Sequence, residues 1–264
     1  MPLKSIHETF WEGFQGALET TPSDAPNLLK DYIEVLLTSH QYVQGIPQIE
    51  AALTALSNES NAKHVLCCNS VAMQCLSQGM SQDALTLLTT ADQLTISSSI
   101  AQFSDDTTRK RLRSITLNNF ACYFKKHGKL HTAIQYLDRT LKLESSTKAT
   151  DNPAGTHLNI CAILSEMGRH VRAADHAKCA IQLLQYDNTV NPTIKSTDSL
   201  LAIAYYNYGV ELEHLKKYDK ASVAFSKGHA VASKELDANH PMLNALAKAL
   251  ADAQRHVERA KGYA

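Results

Sequence analysis

Apolar residues recur at helical spacing along most of this chain, and the spacing breaks at regular places. Leu117, Phe120, Ala121 and Phe124 fall at i, i+3, i+4 and i+7, one stripe of an α-helix. Gly128 then interrupts, and Leu130, Ala133, Ile134, Leu137 and Leu141 form a second stripe at the same period. Glycine accepts the left-handed backbone that ends a helix, so the pattern predicts two antiparallel helices joined by a tight turn. The same template starts at Val65, Ser114, Ala154 and Ala202. Its eighth position is small in every copy (Ala72, Ala121, Cys161, Gly209), and its twentieth is Ala84, Ala133, Ala173 and Ala221. The fifteenth is Gly79, Gly128 and Gly168, with Lys216 in the fourth copy. Small residues on both helices let them approach closely. One such pair cannot bury its own apolar face, so successive pairs must stack.

The pattern assigns repeats to 65–94, 114–143, 154–183 and 202–231. The segments between them, ISSSIAQFSDDTTRKRLR, SSTKATDNP and QYDNTVNPTIKSTDS, are polar and read as extensions of the second helices plus exposed loops on one face. Residues 1–24 hold an amphipathic helix with Phe10, Trp11, Phe14 and Leu18 inward, stopped by Thr21, Pro22, Ser23 and Asp24. Residues 26–57 read as a degenerate fifth pair, with Leu29, Tyr32, Ile33, Leu36 and Leu37 on its first stripe and a break near His40. Its second stripe is Ile46, Ile49, Ala52, Leu53 and Leu56, with Gly45 in the alanine position. Pro47 fits that second helix only within its first turn. Pro241 opens a last helix, 241–262, whose polar late residues suit the end of a stack.

These landmarks resemble the tetratricopeptide repeat (TPR) family, and the run TLNNFACYFKKHGKLHTAIQYLDRTLKLE is similar to the longer repeats of kinesin light chain, as is ELDANHP. The tryptophan-like fourth position holds Cys68, Leu117, His157 and Tyr205, and the closing proline of the family is missing. The resemblance implies an all-α, right-handed α-solenoid of stacked antiparallel helix hairpins, with the N-terminal helix at one end and a capping helix at the other. It also implies that first helices line a groove through positions 2, 5, 6, 9, 12 and 13. At position 6 lie Ser70, Asn119, Asn159 and Asn207. A carboxamide both donates and accepts, so such a ladder can pair with the backbone of an extended peptide or hold neighbouring helices together. Tyr206, Leu158, Ile203 and Met73 make the expected groove partly apolar. Lys125 and Lys126 are its only cations in the template. The resemblance implies a peptide site at Asn119, Asn159, Asn207, Tyr206 and Lys126. The family's carboxylate clamp for chaperone C-termini needs Lys or Arg at positions that here hold Leu66, Ile115, Gly155, Ile203 and their polar or apolar neighbours.

Composition narrows the function further. Lys+Arg and Asp+Glu are 26 each, a balance that supplies no general field for nucleic acid or anionic lipid. The basic run TTRKRLR, diluted by Asp105 and Asp106, reads as a solvated loop entering the helix at Ser114. Six cysteines lie inside predicted helices, as reduced thiols of a cytoplasmic protein would. The opening MPLKSIHETFWEGF predicts neither signal nor transit peptide, and no apolar run approaches the ~20 residues of a membrane span. His127 and His131 straddle Gly128, and no phosphate loop, nucleophile elbow or metal spacing appears. We therefore expect a non-catalytic scaffold or adaptor without cofactor or metal, gripping a partner's peptide or helix. Its resemblance implies a cytoskeletal, ciliary or flagellar assembly. The competing expectation is a regulatory module that binds and controls an enzyme.

Overall fold

The structure, a computed structural model, describes residues 5–39, 41–57, 61–96, 103, 105–146, 153–190, 196–237 and 240–262. Among them are twelve helices and no strand. In order these are α1 (Ile6–Thr20), α2 (Ala25–Thr38), α3 (Tyr42–Ser57), α4 (Asn61–Ser77), α5 (Ser81–Leu94) and α6 (Asp106–Lys126), then α7 (Leu130–Ser146), α8 (Pro153–Glu166), α9 (His170–Val190), α10 (Ser196–His214), α11 (Tyr218–Glu235) and α12 (Pro241–Gly262). Two compact units result, Met1–Tyr123 with Ser146–Ala149, and Phe124–Ser145 with Thr150–Ala264.

One turn is used four times. The N–H of Met80, Lys129, Arg169 and Lys217 donates to the carbonyl of Cys75, Phe124, Leu164 and Leu212, five residues back, at 2.8–2.9 Å. Gly79, Gly128, Gly168 and Lys216 stand just before those donors with φ of 85°, 69°, 70° and 57°. This is the Schellman arrangement, in which a left-handed residue lets the last carbonyls of a helix find donors. The next helix starts at once, its alanine landmark (Ala84, Ala133, Ala173, Ala221) bonding back to the residue four earlier. All four alanines are fully buried.

In the first unit α1 begins with a capping box, Glu8 N–H to Ser5 Oγ and Ser5 N–H to Glu8 Oε2. Its aromatic face packs on α2: Phe10 stacks on Tyr32 at 3.9 Å, and His7 Nδ1 lies 2.5 Å from the Tyr32 hydroxyl. Phe14 is wholly buried. The degenerate pair is α2 with α3, where Leu29, Tyr32, Ile33, Leu36, Ile49, Ala52, Leu53 and Leu56 are core. The side chains of Leu37 and Ile46, and His40, lie outside the described residues. Pro47 corrects one expectation. Because α3 starts at Tyr42, the proline falls in its second turn, inside the helix, and removes the bond its N–H would give Val43.

The basic run is a second correction. TTRKRLR is no loop: α6 starts at Asp106, about two turns ahead of Ser114. Asp105 caps it, accepting from Thr108 N–H at 2.7 Å and Thr108 Oγ1 at 2.9 Å. Arg109 turns inward, 6% exposed, and donates to the Thr95 carbonyl at 2.7 Å and to Asp106 at 2.6 and 2.9 Å. Arg113 reaches Asp92 of α5 at 3.2 Å. Two of the run's cations are thus spent holding α6 to α5.

In the second unit α8 packs on α9, α9 on α10, α10 on α11 and α11 on α12, with α10 also touching α8 and α12. Ala154, Leu158, Ile181, Leu184, Leu201 and Tyr205 fill one core, and Ala202, Leu212, Phe225, Leu243 and Leu246 the next. A wholly buried Leu or Phe contributes about 1.5–3 kcal/mol relative to exposure, so these stripes hold the stack. The second helix of the third repeat is extended as expected, to Val190. The placement of the inserted loops (97–102, 147–152, 191–195) lies outside the described residues.

Candidate functional site

First helices lie side by side in the second unit, α8 beside α10 and α10 beside α12. Template spacing puts Asn159 on α8 and Tyr206, Asn207, Val210, Glu213 and His214 on α10 along one face. All are half-buried except His214, which is exposed. At the α12 end this face opens into a cleft of about 430 Å³. From α10 it is lined by Val210, Glu213 and His214, template positions 9, 12 and 13, and from α11 by Tyr218. From α12 it is lined by Asp252, Arg255, His256 and Arg259. Those four fall at i, i+3, i+4 and i+7, a polar stripe readable from the chain. The template alone missed it, because α12 lies outside every repeat.

The cleft carries mixed charge. Arg255 is ion-paired with Asp252, and among the described residues Arg259 has no ion-pair partner. Burial and the neighbouring Asp252 push the Glu213 carboxyl above its usual range, against the pull of His256 and His214. The Tyr218 ring stacks on His256 at 4.4 Å, and His214 stacks on His170 at 4.0 Å. His170 Nδ1 lies 2.8 Å from the buried Glu211, so the cleft's α10 wall is tied to α9. Backbone or carboxylate oxygens of a ligand have guanidinium donors here, and its N–H groups have carboxylates.

The expected site residues do not all share this place. Asn119 belongs to the first unit, where it donates to Asn69 Oδ1 at 2.8 Å. Asn69, 3% exposed, donates in turn to the Val65 carbonyl and Thr116 Oγ1, both at 2.9 Å. Asn119 therefore ties α6 to α4, the bracing alternative for a position-6 asparagine. Asn159, Asn207 and Tyr206 lie on the α8–α10 face, with Tyr206 packed 5.9 Å from the Phe225 ring. Lys126 is exposed in the last turn of α6. Position 5 is uneven: Asn69 and Leu158 are buried there, each packed toward the next first helix, whereas Tyr206 is half-buried. Beyond the template's Lys125 and Lys126, α12 brings two further cations, Arg255 and Arg259, to the cleft.

Reactive groups are muted. Burial pushes the Cys67 thiol up to about 11 and Cys68 and Cys161 to about 12, leaving them protonated at neutral pH. No cluster of metal-ligating side chains occurs among the described residues, and none of their helices is long and apolar enough to cross a membrane.

Helix pairs joined by one repeated turn, with first helices side by side, define a TPR-like helical repeat fold. The fold is similar to that of a putative kinesin light chain with nearly identical TPR-like repeats from Podosopora anserina (TM-score 0.54, 15% identity, covering 77% of this chain and 91% of that one). It is also similar to BtubC (BKLC) from P. vanneervenii (TM-score 0.54, 15% identity, 98% and 91% covered) and to the apo form of RapI (TM-score 0.60, 12% identity, 97% and 72% covered). No protein-family model and no curated protein sequence matches the chain.

Proposed function

We propose that this protein is a non-catalytic adaptor that holds a partner's peptide on the first-helix face of its second unit, anchored in the cleft between α10 and α12. The observation that carries the reading is the convergence of Glu213 and His214 from α10 with Arg255 and Arg259 from α12 on one cleft. Asn159 and Asn207 continue the polar face and supply both donors and acceptors for an extended backbone. Arg255 and Arg259 favour an acidic residue at the anchor, while half-buried Tyr206 and Val210 offer apolar contact beside it. The kinesin-light-chain-like spelling of residues 114–143 and the likeness to a putative kinesin light chain support a cytoplasmic, cytoskeletal setting, with cilium or flagellum as its narrower form.

Selection of random peptides displayed on phage against the purified chain tests this. Enriched sequences should carry Asp or Glu, and their binding should weaken about tenfold or more in Arg255→Ala/Arg259→Ala. Asn159→Ala/Asn207→Ala should weaken all selected peptides alike, because backbone pairing does not read side chains. Enrichment that ignores both double variants removes this face from the function.

A further inference from the structure

One line of side chains along α2 faces water. Asp24, Leu28, Asp31 and Val35 fall at i, i+4, i+7 and i+11, and all four are exposed. Leu28 is 36% and Val35 41% exposed, so two large apolar side chains stand in solvent between carboxylates. A lone exposed Leu is ordinary, but two on one helical line form an apolar ridge. The ridge's surroundings are acidic as well. Glu8, Glu12 and Glu19 of α1 are exposed, and α1 packs beside α2. Lys30 is the only Lys or Arg between Ile6 and Thr38, and it lines a different cavity, toward α4.

The second unit holds a pocket of the opposite charge. It measures about 400 Å³ and opens between the α10–α11 turn and α12. Tyr218, Val257 and Ala260 give it an apolar lining, and exposed Lys216, Lys217 and Lys220 stand around it. Asp219 is its one acid, and among the described residues none of the three lysines has an ion-pair partner. Lys+Arg and Asp+Glu balance over the whole chain, 26 each, so an acidic α1–α2 surface and a basic α11–α12 pocket are charge sorted to two places. Each is the other's complement in sign, and both carry apolar contact. We propose that a second copy of this chain docks its α2 ridge in this pocket, with Leu28 and Val35 on Tyr218 and Val257 and the two aspartates against the lysines. Ridge and pocket are different surfaces, so the contact is heterologous. A pair keeps one free ridge and one free pocket, and association continues copy by copy. An interface this small is transient and salt-sensitive. The pocket adjoins the peptide cleft at Tyr218 but shares none of its charged groups, so the two readings stand or fall separately.

Sedimentation velocity of the full chain tests this. Average mass should rise between ~10 and ~300 µM protein in ~50 mM salt, and return to that of a single chain in ~0.5 M salt. Asp31→Lys/Val35→Lys blocks the ridge and Lys217→Glu/Lys220→Glu the pocket, all at exposed positions. Either variant alone should stay a single chain. Their equimolar mixture should form a dimer and stop there, because one intact ridge meets one intact pocket and nothing is left to extend. The milder Asp31→Asn and Lys220→Gln should each weaken self-association about threefold, so the outcome does not hang on the reversals. A wild-type chain that stays single at every concentration overturns the proposal. So does association that survives either double variant alone, or one that neither mild variant weakens.

Discussion

Glycine marks this chain for two unrelated reasons, which separate at Gly209 and Lys216. A Cβ at Gly79, Gly128 or Gly168 would meet nothing within 4 Å, so only their positive φ asks for glycine. Lys216 adopts the same turn at φ 57° with a full side chain. Lys216→Gly should therefore stabilise the protein by about 1 kcal/mol, the cost of left-handed backbone for an L-residue. Gly209 is the reverse case. It sits inside a helix, and a Cβ there would overlap the Phe225 ring. The fourth repeat spends its free volume on Phe225 where other repeats have Leu88, Leu137 and Ala177, and Gly209 makes the room. Gly209→Ala should cost about 1–3 kcal/mol despite alanine's better helix propensity. Urea unfolding of the two variants checks both signs. A stabilised Gly209→Ala would mean the ring moves aside freely.

At the scale of elements, the instructive helix is α6. Its repeat spelling starts at Ser114, yet the helix begins at Asp106 because Asp105 caps it and Arg109 bonds the buried end of α5. Arg109→Ala leaves the Thr95 carbonyl without that donor and should cost about 1–3 kcal/mol. Lys110→Ala, losing a half-exposed pair with Asp106, should change stability by less than ~1 kcal/mol. Chemical denaturation separates the two, and equal effects would return the run to the solvated surface. The helices, their turns and the alanine contacts were legible because sterics spell them locally: a small residue where axes approach, a left-handed residue where the chain reverses. The start of α6 was less visible because the template drew attention to Ser114, although Asp105 and Thr108 already spelled a cap. The burial of Asn69 and Leu158 at position 5, where Tyr206 stays half-buried, was not legible because it depends on the next first helix, not on their own hairpin. The cleft's α12 stripe at 252, 255, 256 and 259 was readable, but only as helical spacing outside the repeat.

For the molecule as a whole, three histidines couple folding to pH. Burial lowers the pKa of His64, His157 and His176; His157 is lowered further by His176, and His176 by Arg172, with Asp138 and Asp175 opposing. The Nδ1 atoms of His157 and His176 are 3.0 Å apart, so one proton can bridge them but two would collide. An imidazole whose folded pKa is depressed binds its proton first in the unfolded chain. Its contribution to stability is full above 6.5, the unfolded value, and declines as pH falls below it toward the folded pKa. Two carboxyls act oppositely: burial raises Glu144, against a bond from Thr156, and burial with Asp252 raises Glu213. They take up protons in the folded state first, so their folded forms gain stability as pH falls toward 4.5. The thermal midpoint should therefore drop between pH 7.5 and pH 5.5 and flatten below that, where the carboxyls offset the histidines. His157→Asn keeps a polar side chain at that place, removes one of the three titrating rings and relieves the second. It should make the descent shallower. Melting curves of the two proteins across that range decide the matter. A midpoint that rises on acidification would show that the carboxyls, not the buried imidazoles, govern how this stack responds to protons.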